Sequence, residues 1–228
     1  MSKRDVPEGD GEAAVTNDEH SFQVEDEHFY AFAHYVSRTR WISIWHQVMQ
    51  ILDARPQSVL EIGVGPGVLG AVLRGLGIHH ESVDIDDRLR PDHVASAKHL
   101  PLLDSSFDVV AGFQVLEHLP YDDFVPALRE MARVSRGPLA ISLPDARKLW
   151  PYSIYVPRIG DVRFHLPHPR YYWPRKIVFD GRHYWEINKR GYPLERILGD
   201  IASAGLRVDH THRVFENPYW RFFGLSER

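Results

Sequence analysis

Ser58-Val59-Leu60-Glu61-Ile62-Gly63-Val64-Gly65-Pro66-Gly67-Val68-Leu69-Gly70 is the stretch whose reading decides the fold. A short apolar run ends in three glycines at alternate positions, and a helical apolar pattern follows. That is the signature of a strand, a tight backbone loop and a helix N-terminus. In an open α/β sheet, ligands bind at such a junction, where backbone N–H groups face the crevice. Twenty-one residues beyond Gly63, a second apolar run reaches Asp84 in Ser82-Val83-Asp84-Ile85-Asp86. A carboxylate about 20 residues past a glycine loop can hydrogen-bond the ribose hydroxyls of an adenosine-type cofactor. Asp86 reads as a solvated neighbour that would replace Asp84 if the strand ended later.

Gly65-Pro66-Gly67-Val68-Leu69-Gly70 also satisfies G-x-G-x-x-G, a pattern that many glycine loops match. Charge separates the candidates. Glu61 stands two residues before the first glycine, where it would repel a pyrophosphate and favour a cationic ligand. Pro66 suits a helix start, where its missing N–H costs little. A third block runs from Leu100-Pro101 through Phe107-Asp108-Val109-Val110 to Val115-Leu116-Glu117-His118-Leu119, and reads as turn, strand and loop. Asp108 fits a capping or turn carboxylate. Gln114 falls at the carboxyl end of the strand, where ligands sit in this architecture.

With these blocks in this order and spacing, the chain resembles the class I S-adenosylmethionine-dependent methyltransferases, specifically the type 11 family, over roughly residues 58–145. The resemblance implies a Rossmann-like α/β sheet of seven strands, the last antiparallel, with helices on both faces. It implies S-adenosylmethionine as cofactor, whose sulfonium and ammonium suit Glu61. The cofactor-binding residues expected on this reading are Glu61, Gly63, Gly65, Gly67, Asp84, Ala97 and Gln114. The family often places an acidic residue four positions before the Leu100 leucine. This chain has Ser96 there, so backbone contacts at Ala97 would have to take over.

Composition bounds the alternatives. A chain of 228 residues can bury one good core. Hydrophobic content of 43% and charged content of 25% fit an ordinary globular protein. No apolar run reaches membrane-spanning length, and the N-terminus lacks the apolar core of a signal peptide. The absence of cysteine excludes disulfides, thiolate metal sites and a cysteine nucleophile. These features point to the cytoplasm. A net charge of −4 argues against general attraction to nucleic acid. Residues 1–20 read as a disordered acidic tail and 21–228 as the methyltransferase domain.

Strand–helix alternation places strands at 58–62, 80–84, near 93–96, 108–113 and 138–143. Helices fall over 26–54, 66–76 and 122–135, and a parallel sheet follows from the alternation. The first of these helical segments, with Phe29, Phe32, Ile42, Trp45, Val48 and Leu52 at helical spacing, is expected to cap the sheet and border the cofactor. Residues 194–204 read as a helix, and 207–214 and 219–225 as two closing strands. Between them, 146–190 breaks the rhythm and reads as a lid-like insertion for the acceptor. It is rich in arginine and aromatics, among them Trp150, Tyr152, Tyr155, Arg158, Arg163, Phe164, Arg170, Tyr171, Tyr172, Trp173 and Arg175.

The acceptor end rests on histidines. His118, beside Glu117, and His183, in Gly181-Arg182-His183-Tyr184-Trp185-Glu186, are the expected catalytic residues, because imidazole titrates near neutral pH. A divalent cation is the competing reading. Some methyltransferases acting on vicinal oxygens use Glu-x-x-Glu-His and a distant histidine, and here Gln114 replaces the first glutamate with loss of a charge. We assign no metal ligands at this stage. The function expected is methyl transfer to an oxygen or nitrogen of a small or carrier-linked metabolite. The alternatives are a nicotinamide-dependent oxidoreductase, a non-catalytic binding protein on the same fold and a nucleic-acid methyltransferase. The oligomeric state is left open.

Overall fold

The computed structural model describes residues 35–169, 173–179 and 181–228. The expected acidic tail, together with Phe29, Phe32, Arg170, Tyr171 and Tyr172, lies outside the described residues. Nine strands and four helices follow in chain order among the described residues. Helix α1 (Arg38–Asp53) leads into β1 (Ser58–Ile62), α2 (Val68–Gly75) and β2 (His79–Asp84). Strands β3 (His93–Val94) and β4 (Val109–Phe113), α3 (Phe124–Val134) and β5 (Leu139–Pro144) come next. A hairpin of β6 (Leu149–Val156) and β7 (Gly160–Pro167) precedes α4 (Leu194–Ser203), β8 (Leu206–Arg213) and β9 (Trp220–Glu227).

Seven strands form one sheet in the order β3-β2-β1-β4-β5-β9-β8. Strands β1 to β5 pair in parallel, while β9 is antiparallel to both β5 and β8. The last strand is therefore the reversed one, as expected, and it sits between its two neighbours rather than at the edge. The strand order turns back on itself at β1, which has β2 on one side and β4 on the other. That switch point opens a crevice beyond the strand ends.

Period-two alternation sorts the core onto two faces. Leu60, Ile62, Val110, Leu139 and Ile141 point to the side covered by Leu128 and Met131 of α3 and by Ile197 and Ile201 of α4. Val59, Val109 and Ala140 point to the other side, against Ile51 of α1 and Leu69 and Leu73 of α2. Both faces are dry, which is why β1 is buried along its whole length. Helix α1 departs from the expected packing in one respect. Trp45 is 57% exposed, because Ile51 and Val48 make the contact with the sheet instead.

Asp108 has the structural role expected of it. Its Oδ2 accepts from the Gln57 and Ser58 amides at 2.8 and 2.9 Å, and its Oδ1 accepts from Arg136 Nε at 2.6 Å. It thereby pins the starts of β1 and β4 together. The Arg136 guanidinium and these amides hold its carboxyl down at about 2. A carboxylate with a depressed folded pKa stabilises above its unfolded value, and that stability is lost as pH falls. Asp108→Ala is expected to cost about 1–2 kcal/mol, lowering Tm by roughly 2–8 °C. The gap to the parent should shrink as pH drops from 3.8 towards about 2, read by thermal melts across pH.

Candidate functional site: the cleft at the sheet switch point

The chain leaves β1 at Gly63, whose φ is +84°, and Gly65 and Gly67 follow at +50° and +69°. L side chains rarely adopt this conformation, so glycine is required by the backbone path itself. Gly63 is also crowded: a Cβ there would stand 3.0 Å from Val115 Cγ2. The loops after β1 and β4 are thus pressed together. Gly67 occupies the N-cap of α2 in the left-handed conformation, with no side chain capping the first turn. The backbone donors of that turn are left for a ligand.

The Asp84 carboxylate fastens this loop to the end of β2. Its Oδ2 accepts from the Val64 amide at 2.9 Å and its Oδ1 from the Asp86 amide at 3.0 Å. Each oxygen retains lone-pair capacity for a ribose hydroxyl. Burial raises the Asp84 pKa against these amide donors. Asp86 does not have the solvated role expected from its position. It is buried and clamped by Arg88, whose Nε and Nη2 lie 2.8 and 2.7 Å from its two oxygens.

Glu61 faces inward from β1 and is 6% exposed. His80 Nε2 donates to Glu61 Oε2 at 2.9 Å, and Arg74 Nη1 donates to His80 Nδ1 at 2.9 Å. Gly70 makes room for this chain, since a Cβ there would meet His80 Cε1 at 2.6 Å. Burial pushes the Glu61 pKa up while His80 opposes it. The sequence pattern identified the carboxylate but not its partner, because His80 reads as an ordinary strand residue.

A cleft of ≈ 590 Å³ opens here. Glu61, Gly63, Gly65, Asp84, Ala97 and Gln114 line it, as do Glu117, His118 and His183. Gly67 is not among the lining residues and acts through the helix cap. Gln114 holds a left-handed φ of +54°, and its Nε2 lies 3.3 Å from Ser142 Oγ. Helix α1 contributes Arg40, Ser43 and Gln47 to the wall. Tyr35, Asn217, Tyr219 and Trp220 also line the cleft and were not anticipated. Tyr219 and Trp220 read in sequence only as part of a closing strand, and Asn217 falls between the two closing strands.

The segment 146–190 is not one unit. The β6–β7 hairpin carries Trp150, Tyr152, Tyr155, Arg158, Arg163 and Phe164, none of which lines the cleft. Arg182, His183 and Glu186 do line it, whereas Trp185 and Ile187 are fully buried in the core. Three bonds zip this part to the loop after β4. The Tyr184 amide donates to Glu117 O at 3.0 Å, and His118 Nδ1 donates to Arg182 O at 2.8 Å. Trp185 Nε1 donates to Leu119 O at 3.1 Å. Residues 65 apart in sequence are thereby brought together, and the rings of His118 and His183 meet edge-on at 5.0 Å.

Glu117 is the outlier of the site. It is 0% exposed, and neither carboxylate oxygen has a hydrogen-bond partner among the described residues. Burial pushes its pKa up to about 8. His183 Nδ1 donates to Glu186 Oε1 at 3.1 Å, with Tyr219 OH 3.4 Å from the same nitrogen. Burial works to raise the Glu186 carboxyl, and His183, Lys189 and Tyr219 together hold it below its ordinary value.

Known proteins resemble this chain in part of its sequence and in its fold. Residues 60–138 match the family described as "Methyltransferase domain". Methyltransferase GfsG of Streptomyces halstedii is 34% identical over 116 residues, a match that takes in 42% of this chain and 41% of GfsG. An S-adenosylmethionine-dependent methyltransferase from Clostridium acetobutylicum superposes with a TM-score of 0.56 at 10% identity, covering 88% of this chain and 96% of that one. The 1,6-didemethyltoxoflavin-N1-methyltransferase of Burkholderia thailandensis, solved with bound 1,6-didemethyltoxoflavin and S-adenosylhomocysteine, gives 0.54 at 14% identity, over 90% and 91% of the two chains. At such identities the structural likeness speaks for the fold alone. Residues 60–138 thus carry a methyltransferase-domain match, the chain spans about two fifths of the length of GfsG, and the fold around the match is the one these methyltransferase structures have.

Proposed function

We propose that this protein transfers a methyl group from S-adenosylmethionine to an oxygen or nitrogen of a small or carrier-linked metabolite. The observation that carries the reading is the convergence in one cleft of the glycine loop, Asp84 and the histidine pair. The residues present suit the cofactor. The loop after β1 alternates glycines with only Val64 and Pro66, Asp84 offers acceptors for ribose hydroxyls, and Glu61 lies beneath the loop as a counter-charge for a cation. A cleft of ≈ 590 Å³ is of small-molecule size. When bound, the cofactor supplies an electrophilic methyl on a sulfonium.

The chain's own work is to align and to accept a proton. An acceptor lone pair forms the new bond to the methyl carbon, and the methyl–sulfur bond breaks with its electron pair left on sulfur. In-line alignment in a site closed to water is the main source of rate. The acceptor proton is assigned to His118 and His183, whose rings stand together at the cleft wall. The arginine-rich stretch contributes through Arg182 at the wall rather than through the hairpin.

Calorimetric titration with S-adenosylmethionine, S-adenosylhomocysteine and NAD tests the reading. The first two are expected to bind at micromolar Kd and NAD not at all; failure of both sulfur nucleosides to bind overturns it. Asp84→Ala should weaken both by about tenfold to a hundredfold, through loss of charge-assisted hydrogen bonds. Gly63→Ala forces an L residue to positive φ against Val115 and should lower Tm as well as affinity, the backbone term alone being about 1–2 kcal/mol. With an acceptor found by screening with methyl-labelled cofactor, His183→Ala is expected to slow transfer about 10²–10⁴-fold. Affinity for S-adenosylhomocysteine should stay within twofold.

A further inference from the structure

A buried carboxylate with no donor is costly unless a proton or a cation compensates it. Glu117 is in that position, and it is not alone. One ligand-type atom from each of Glu117, His118 and His183 falls within 4.8 Å of the others. Ligand atoms of a tetrahedral divalent ion, each about 2.0–2.2 Å from the metal, stand about 3.4 Å apart. A small side-chain adjustment closes that shell.

The outer bonds of the two imidazoles are those of metal-ligating histidines. His118 Nδ1 donates to the carbonyl of Arg182, and His183 Nδ1 donates to the carboxylate of Glu186. Each bond fixes the tautomer with the proton on Nδ1 and the lone pair on Nε2. Backbone carbonyls and carboxylates are the usual outer partners that orient such ligands and raise their basicity. The zip between 116–119 and 182–185 holds both rings at one point of the cleft.

We propose that Glu117, His118 and His183 bind a divalent transition ion of the zinc, iron(II) or cobalt(II) class. Two imidazoles and one carboxylate suit these ions, whereas magnesium and calcium prefer an all-oxygen shell. Three protein ligands leave positions open towards the cleft, as in catalytic sites. The inference deepens the methyl-transfer reading and rests on it in one respect. The ion would take the acceptor through oxygen and lower the pKa of its hydroxyl, so that with the metal bound the proton leaves to water and the two imidazoles serve as ligands in place of the proton-accepting role they have without it. The acceptor class that fits is then an alcohol or phenol. Glu117 meets the ion as a carboxylate, its proton displaced on binding.

The test is a cobalt(II) titration of the chelator-stripped full chain, followed by visible absorption and calorimetry, with S-adenosylhomocysteine affinity measured in parallel. One equivalent is expected to bind and to develop ligand-field bands. Acetohydroxamate, a small oxygen donor, should shift those bands, and zinc(II) should displace the cobalt. His183→Ala and Glu117→Gln should weaken cobalt binding at least thirtyfold, and Glu186→Gln by about 10–100-fold. S-adenosylhomocysteine affinity should be retained in all three, which also shows that they fold. No cobalt binding, binding unaltered in all three variants, or binding of magnesium in its place overturns the metal assignment. Bands that acetohydroxamate does not shift overturn the open position. Cobalt binding without nucleoside binding would leave the metal site standing and the methyl-transfer reading overturned.

Discussion

The contact between Gly63 and Val115 is the constraint on which the rest of the site depends. The loops after β1 and β4 leave neighbouring parallel strands and must pass within van der Waals distance of each other. Any side chain at Gly63 would push them apart. With the glycine in place, the β1 loop turns sharply, presents backbone to the crevice and lets Asp84 fasten Val64. The same approach sets where Gln114 and Val115 end β4, and so where Glu117 and His118 begin. One steric condition therefore positions the glycine loop and the Glu117–His118 pair together.

The second organising feature is the aromatic anchor at Trp185. Its ring packs against Phe124 and Tyr121, and its Nε1–H is satisfied by the Leu119 carbonyl. A fully buried tryptophan with its one donor paired fixes the chain on either side of it. That anchor carries His183 to His118, and it explains why the end of the irregular segment belongs to the core while the β6–β7 hairpin does not reach the cleft. Hairpin residues such as Tyr155 and Ile159 remain 71% and 75% exposed.

Charge in the cleft is handled in two ways. Glu61 is buried but compensated, through His80 and then Arg74. Glu117 is buried and uncompensated by any described hydrogen-bond donor. Two glutamates at comparable depth thus present different chemistry. The first belongs to a hydrogen-bonded network under the loop, and the second is a site that attracts a proton or a cation.

The local, periodic part of this protein was legible in its sequence. Strand–helix alternation punctuated by glycines at fixed spacing made the parallel sheet and the place of the crevice readable from Ser58 to Leu119, whereas the count of seven strands and the reversed last one followed from the family resemblance of those blocks. Asp108 could be recognised as a structural carboxylate because it heads a strand. Tertiary structure alone decided the pairings between distant segments: His80 with Glu61, and the 182–185 zip with the loop after β4. Nothing in the local pattern of Arg182-His183-Tyr184-Trp185 shows that its backbone will bond to Glu117 and His118, since that depends on where a buried tryptophan finds its pocket. Nor does sequence show that Glu117 ends with no donor among the described residues, because desolvation is set by what packs around a side chain and not by its neighbours in the chain.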